Sequence, residues 1–250
     1  MSHSPDYTAL FSTVDGFIAL NGAVKLQILE FLKDGPKTFE ELVKYTGKAK
    51  STVSVHLKDL NSCNLVEEKP DSNDRRKKIY VLKSHCMAHS QEPMIKHYQC
   101  VLHNFSKDLI CENDFFISIF HALRFGFEAY GINHRPISRK IGSDIGRHIA
   151  LNFKSSNFYD LLEEIALFWK ENGLGNLSMV DGDPVQLIIS DCFGCRTMPR
   201  VNRKLCFFEE GIFEGIFFES LNKKLKVREI ECCGTGHDHC LFLVCPDFTL

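Results

Sequence analysis

The sequence predicts an α+β fold: a helical N-terminal third that ends in a hairpin, a helical linker, and a C-terminal α/β domain. Three observations carry this. Apolar residues recur at helical spacing up to Leu60, then alternate across residues 65–82 around a turn-rich tip. Helical periodicity returns after Pro93 and continues to Asn172. From Gly175 onward strand-like runs alternate with glycine turns, and seven of the eleven cysteines fall between positions 192 and 245. The expected boundaries are 7–85 for the first domain, 86–112 for a linker that also dimerises, and 113–250 for the second domain.

At 250 residues, 44% hydrophobic and 25% charged, the chain has room for two globular cores. A formal net charge of -2 supplies no global basic field, so any nucleic-acid binding must come from a local patch. The opening MSHSPDYTALF lacks a basic stretch followed by an apolar one, and no run of about 20 apolar residues occurs, so a cytoplasmic protein without membrane contact is expected. Eleven cysteines in such a chain point to reduced thiols used for metal ligation or redox sensing rather than to a disulfide scaffold.

Residues 7–34 read as two helices broken near Asn21-Gly22, through Leu10, Val14, Phe17 and Ile18 and then Val24, Ile28, Leu29 and Leu32. Thr38 and Glu41 form a capping-box pattern ahead of a short helix, and Tyr45-Thr46-Gly47 makes a turn. In KSTVSVHLKDL, Val53, Leu57 and Leu60 face inward, leaving Ser51, Thr52, Ser54, Val55, His56 and Lys58 outward or flanking. Strands at 65–69 and 78–82 enclose a PDSND tip and carry Arg75, Arg76, Lys77 and Lys78. Short helix, turn, helix and basic hairpin together make a winged helix-turn-helix.

The segments KLQILEFLKDG, TVSVHLKDL and LVEEK with RRKKIYVL resemble the ArsR-like winged helix-turn-helix regulators over roughly residues 12–83. The chain departs from the pattern at Ala49, where a capping Ser is usual, and Ser51 is the substitute expected. The resemblance implies that the second helix enters the major groove of double-stranded DNA and the wing contacts the backbone. Ser51, Thr52, Ser54, His56 and Lys58 are then the candidates on the helix, and Arg75, Arg76, Lys77 and Lys78 the candidates for phosphate. A winged helix that binds protein instead is the plain alternative.

Residues 86–111 read as one long helix able to pair with a second copy, and operator DNA with two half-sites makes a homodimer the expectation. FFISIFHALRFGF reads as a buried helix, followed by helices near 140–153 and 159–172. Ser138, Arg139, Lys140, Arg147 and His148 offer either a basic surface or an ordinary wet face. NLSMVDGDPVQLIISDC reads as a hairpin that delivers Cys192 and Cys195 in a CxxC, for which a disulfide switch, an auxiliary metal site and inert thiols all stay open.

A helix over 203–221 carries Cys206, with Gly211 and Gly215 four apart. Two interior glycines cost about 1 kcal/mol each, which signals close backbone approach by another element or a ligand. Strands LKVREIECC and CLFLVC follow around a GTGHDH turn, which brings Cys232 and Cys240 together. Cys206 with Gly211 and Gly215, then VREIEC, then Gly236 and Cys240 resemble the 4-vinyl reductase sensor domain. That resemblance implies a zinc ion on Cys206, Glu229, Cys232 and Cys240. Three thiolates and a carboxylate are a closed, structural zinc set. Spacing alone leaves Glu231, His237 and His239 open as substitutes, because alternation places Glu229 and Cys232 on opposite faces unless the strand bends. Thiols packed without an ion are the other reading.

A winged helix joined to this sensor resembles the methanogen-specific 4-vinyl reductase-domain transcriptional regulators. The resemblance implies an archaeal, cytoplasmic, redox-responsive DNA-binding dimer, with Cys192, Cys195, Cys233 and Cys245 as the thiols free to react. The alternative is a regulator responding to a small apolar or aromatic ligand in a pocket lined by Phe120, Phe127 and Trp169. No nucleophile and base pair at interpretable spacing and no nucleotide-binding glycine loop occurs, so no enzyme is expected.

Overall fold

The computed structural model describes residues 7–71, 74, 77–106, 112–195 and 198–246, with 112–114 as backbone only. The chain divides into two compact units, Met1–Gln91 and Glu92–Leu250.

The first unit departs from expectation at its start. Residues 7–20 form a β-hairpin, β1 (Ala9–Thr13) and β2 (Gly16–Leu20), paired from Ala9↔Leu20 to Thr13↔Gly16 around Val14-Asp15. The helical spacing of Leu10, Val14, Phe17 and Ile18 is coincidental. The residues actually buried are Ala9, Phe11 and Leu20, while Val14 and Phe17 are exposed. An Asp-Gly pair with Gly16 at φ 118 closes the turn, a signal that outweighs a weak helical stripe. Helix α1 (Ala23–Leu32) follows, then β3 (Lys37–Thr38), α2 (Phe39–Thr46) and α3 (Lys50–Ser62).

Thr38 caps α2 in a full capping box: the Glu41 amide donates to its hydroxyl at 3.3 Å, and the Thr38 amide donates to the Glu41 carboxylate at 2.7 Å. Gly47 ends the helix in the left-handed region. Strands β4 (Val66–Pro70) and β5 (Lys78–Leu82) form the wing, and β6 (His85–Ser90) pairs with β1. Leu26, Ile28, Leu29, Leu42, Val53, Leu57, Leu60 and Leu65 fill the core. The expected helix over 86–111 is therefore not continuous: its first residues belong to β6, its middle to α4 (Ile95–Asn104), and residues 107–111 lie outside the described residues. The helix begins only after Pro93, which disfavours helical geometry in the residue before it.

In the second unit, α5 (Glu112–Ala129) leads through the two-residue strand β7 (Ile132–Asn133) to α6 (Arg135–Ile149) and α7 (Phe158–Glu171). Strands β8 (Asn176–Val180) and β9 (Val185–Ser190) form the expected hairpin, followed by α8 (Phe207–Leu221), β10 (Leu225–Glu231) and β11 (His239–Pro246). The antiparallel sheet runs β10-β11-β9-β8. Phe213, Phe217, Phe242, Leu187 and Ile189 fill the space beneath α8, and Trp169 stacks on Phe213 at 5.0 Å between ring centres. Trp169 is thus a core residue rather than a pocket wall. The architecture is α+β, as the sequence predicts.

The glycines of α8 are explained by α6. A Cβ on Gly211 would lie 2.1 Å from the Arg139 carbonyl oxygen, and one on Gly215 2.1 Å from that of Ser143. Reciprocally, Cβ atoms on Gly142 and Gly146 would lie 2.2 and 2.0 Å from the carbonyl oxygens of Phe208 and Ile212. The two helices interlock backbone to backbone. Gly215→Ala is expected to lower stability by about 1–3 kcal/mol despite better helix propensity, because the helices must part to admit the methyl. That is a fall of roughly 2–12 °C in Tm, and an unchanged melting curve would show the contact to be soft.

Candidate metal centre and nucleic-acid interface

On α3, Ser51, Thr52, Val55 and Lys58 are exposed, whereas Ser54 and His56 are half-buried. One ring nitrogen of His56, Nδ1, is buried without a hydrogen-bond partner, so the imidazole belongs more to the flank of the helix than to its outer face. Val55, 57% exposed, stands on that outer face and can meet a thymine methyl. Ala49 occupies the N-cap position with no side-chain cap, so Ser51 does not take over that role. Lys77 and Lys78 are exposed on the wing, Lys78 pairing with Glu68 at 2.6 Å; Arg75 and Arg76 lie outside the described residues.

The cysteine cluster lies at the N-terminal end of α8. Cys206 stands at its N-cap, Cys240 opens β11, Cys232 follows β10, and Cys192 and Cys195 flank a one-turn 3-10 helix after β9; all five are buried. The sulfurs of Cys206 and Cys240 are 3.8 Å apart, those of Cys195 and Cys206 3.9 Å, and those of Cys195 and Cys240 3.2 Å. These separations are too long for disulfides. They match the edge of about 3.8 Å between thiolates around an ion with metal–sulfur bonds of about 2.3 Å. Ligand atoms of Cys206, Glu229 and Cys240 lie within 4.8 Å of one another, as do those of Cys192, Cys195 and Cys240. Cys232 belongs to neither trio. Its sulfur lies 3.9 Å from the Arg203 carbonyl oxygen, although its ionisation is governed by Cys206 and Glu229.

Strand alternation does not foresee how Glu229 and Cys232 share a face. The register of β10 against β11 shifts between Glu229, opposite Phe242, and Glu231, opposite Leu241. This β-bulge adds one residue, so Val227, Glu229 and Cys232 all point into the core. The Cys206 amide donates to Glu229 Oε2 at 2.9 Å, and the Glu229 amide donates to Glu210 Oε1 at 2.7 Å. Arg139 donates to Glu210 at 2.5 Å and to Glu214 at 2.5 and 3.0 Å, and also to the Val227 carbonyl at 2.9 Å. One arginine thus ties α6, α8 and β10 together behind Glu229. In the sequence it looks like part of a basic surface. Glu229 Oε1 remains buried without a hydrogen bond, a lone acceptor facing the thiols, and that donor set fits a metal ion.

The thiols are not equivalent. Sulfur hydrogen bonds from Cys192, Cys206 and Cys240 hold Cys195 well below the usual thiol range, while the same contacts hold Cys192 and Cys206 above it. The Cys206 sulfur draws Cys232 down to about 5, and burial pushes Glu229 up to about 8. Burial also lifts Cys233 to about 12, which suppresses the thiolate needed for oxidation. Cys245 is half-buried on the face of β11 opposite Cys240. Of the substitutes left open for Glu229, His239 pairs instead with Glu231 at 3.0 Å and Asp238 at 2.8 Å, and His237 lies 3.7 Å from Glu231.

Helix α5 is not simply a buried apolar helix: its polar residues Ser118, His121, Arg124 and Glu128 face inward. Its apolar residues Phe116, Ile119, Leu123 and Phe127, with Tyr130 beyond, form an exposed stripe. Below that stripe lies an apolar cavity of about 160 Å³ whose walls include Phe120, Phe127, Arg124, Ile141, Phe207 and Phe208. Single-sequence periodicity finds the stripe but cannot say which side of it is wet.

Residues 185–246 match the 4-vinyl reductase domain, and residues 23–68 match the bacterial regulatory protein, arsR family. Two uncharacterised proteins of Methanocaldococcus jannaschii, MJ0150 and MJ1642, are 35% and 36% identical to the chain over 130 residues, which is 51% of this chain and 74% and 76% of theirs. A vinyl-4-reductase family protein from the same organism aligns in structure at 18% identity and TM-score 0.39, over 61% of this chain and 91% of that one. An ArsR-like helix-turn-helix followed by an α/β domain with a Cys/Glu cluster able to coordinate a metal ion defines a sensor-regulator, a class that is regulatory rather than enzymatic. The chain belongs to the 4-vinyl reductase domain family, in the form that carries an ArsR-type helix-turn-helix at its N-terminal side and has homologues in a methanogen. No helix among the described residues is long and apolar enough to cross a membrane.

Proposed function

We propose that the chain is a cytoplasmic homodimeric transcription regulator whose operator affinity is set by a small apolar effector in the α5 cavity. Zinc on Cys206, Glu229, Cys232 and Cys240 is the structural clamp in this reading, holding the start of α8 to β10 and β11. Ser51, Thr52, Ser54, His56 and Lys58 read or flank the groove, and Arg75, Arg76, Lys77 and Lys78 meet phosphate. The single observation that carries the effector reading is the enclosed apolar cavity that includes Phe120 and Phe127. The α5 stripe, with Phe116 at 61% and Tyr130 at 76% exposure, supports a dimer seam there, because apolar residues repeat along the helix at intervals of three and four. An effector acts by stabilising one of two states of the dimer over the other. Operator titrations at fixed thiol state, with and without one-ring apolar compounds at millimolar concentration, test it: affinity is expected to change at least tenfold, and identical curves throughout would sink it.

A redox reading is favoured by a separate observation, the 3.2 Å contact of Cys195 with Cys240 in the cluster. Two-electron oxidation by an oxidant such as a peroxide can join Cys195 to Cys192 or Cys240 as a disulfide, releasing the thiol protons as the oxidant is reduced to water or alcohol. Loss of Cys240 to such a bond would open the metal clamp. Cys245 remains a candidate partner, whereas Cys233 is the least suited because of its raised thiol. Operator affinity of the wild type is expected to differ at least tenfold between reductant and oxidant, and Cys195→Ser should abolish the difference. A full response in Cys195→Ser would refute this role.

A further inference from the structure

Among the described residues, the wall of the α5 cavity contains one formally charged side chain, and its terminal nitrogens have no hydrogen bond. Arg124 is 3% exposed, and both Nη1 and Nη2 are buried without a hydrogen-bond partner. The Glu209 carboxylate oxygen Oε2 is 3.9 Å away, beyond hydrogen-bond range, and both Glu209 oxygens are themselves unpartnered. The guanidinium lies over the Phe120 ring, 4.8 Å from its centre, and 5.7 Å from the centre of Phe207. The other polar groups of the wall do not compete for an anion. His134 is kept neutral because burial lowers it to about 4, and its Nδ1 is engaged with the Ser138 hydroxyl at 2.7 Å. A buried guanidinium with two idle nitrogens is costly unless something completes its hydrogen bonds.

We infer that this cavity takes a small organic monoanion, its carboxylate on Arg124 and its apolar body against Phe120, Phe127, Ile141 and Phe207. A carboxylate presents two oxygens in the plane and spacing that a guanidinium fork accepts, whereas a neutral ligand of the same shape leaves Arg124 unpaired. A volume of about 160 Å³ sets the body at about one ring, since an engineered cavity of about 150 Å³ holds benzene. This site rests on the effector-sensing reading and names its ligand class. Leu123 and Phe127 belong both to the cavity wall and to the exposed α5 stripe, so a bound acid would press on the proposed dimer seam.

The experiment is calorimetric titration of the full-length, metal-replete protein with benzoate and with benzyl alcohol, its neutral analogue. Benzoate is expected to bind at least tenfold tighter. Arg124→Met should bring the two within about twofold, and Ile141→Trp, which fills the cavity from a half-exposed position, should abolish both. Phenylacetate and cyclohexanecarboxylate serve as further probes of body shape. Equal binding of acid and alcohol to the wild type, unchanged benzoate affinity in Ile141→Trp, or no binding of any of the three acids at millimolar concentration would each overturn the site. Benzoate binding that behaves as expected but leaves operator affinity unchanged supports the site and counts against effector sensing. Absence of binding leaves the redox reading intact.

Discussion

Chelation of zinc is expected to lower the melting temperature by about 8–16 °C. At free zinc a thousandfold above its Kd, bound metal contributes about 4 kcal/mol to the folded state, and a domain of this size shifts by about 2–4 °C per kcal/mol. Cys206→Ser should show the same loss, bind far less than one zinc per chain, and be insensitive to further chelator. Its sulfur stands at the N-cap of α8 between Cys240 and Glu229, so no neighbour can replace it without moving the helix. Cys195→Ser should keep its zinc if Cys232 closes the site. Loss of the ion from that variant would place Cys195, 3.2 Å from Cys240, in the ligand set instead. A chelator that leaves both metal content and melting unchanged would exclude the clamp.

Phe116→Glu is expected to give a monomer by sedimentation and to weaken operator binding by about 10²–10⁴-fold. The loss is that of linked binding to two half-sites, with each reading head left to bind alone. Because phosphate contacts are halved, the slope of log K against log salt should halve as well. Phe116 is 61% exposed on the α5 stripe and does not line the cavity, so its replacement leaves the ligand site alone. A Phe116→Glu protein that remains dimeric would move the interface off this helix.

The reading unit is legible where local chemistry is strong. The Thr38–Glu41 box, the inward Val53, Leu57 and Leu60, and the β5 bounds at 78–82 all follow from hydrogen-bonding geometry and periodicity within a few residues. The opening hairpin is misread because Leu10, Val14, Phe17 and Ile18 mimic a helical stripe, and only pairing of β1 with β2 and β6 decides otherwise. The same limit hides the roles of α5 and Arg139, whose partners are distant in sequence.

Sequence by itself determined the order of elements in the sensor unit, the demand for close helix packing at Gly211 and Gly215, and the gathering of thiols near Cys206, Cys232 and Cys240. Each follows from residue type and short-range spacing. Tertiary structure alone decided the bulge that turns Glu229 and Cys232 to one face, the arrival of Cys195 beside Cys240, and the burial of Arg124 over an apolar cavity. The physical reason is common to all three. They depend on strand register and helix contact between segments far apart in the chain, and no local propensity encodes those distances.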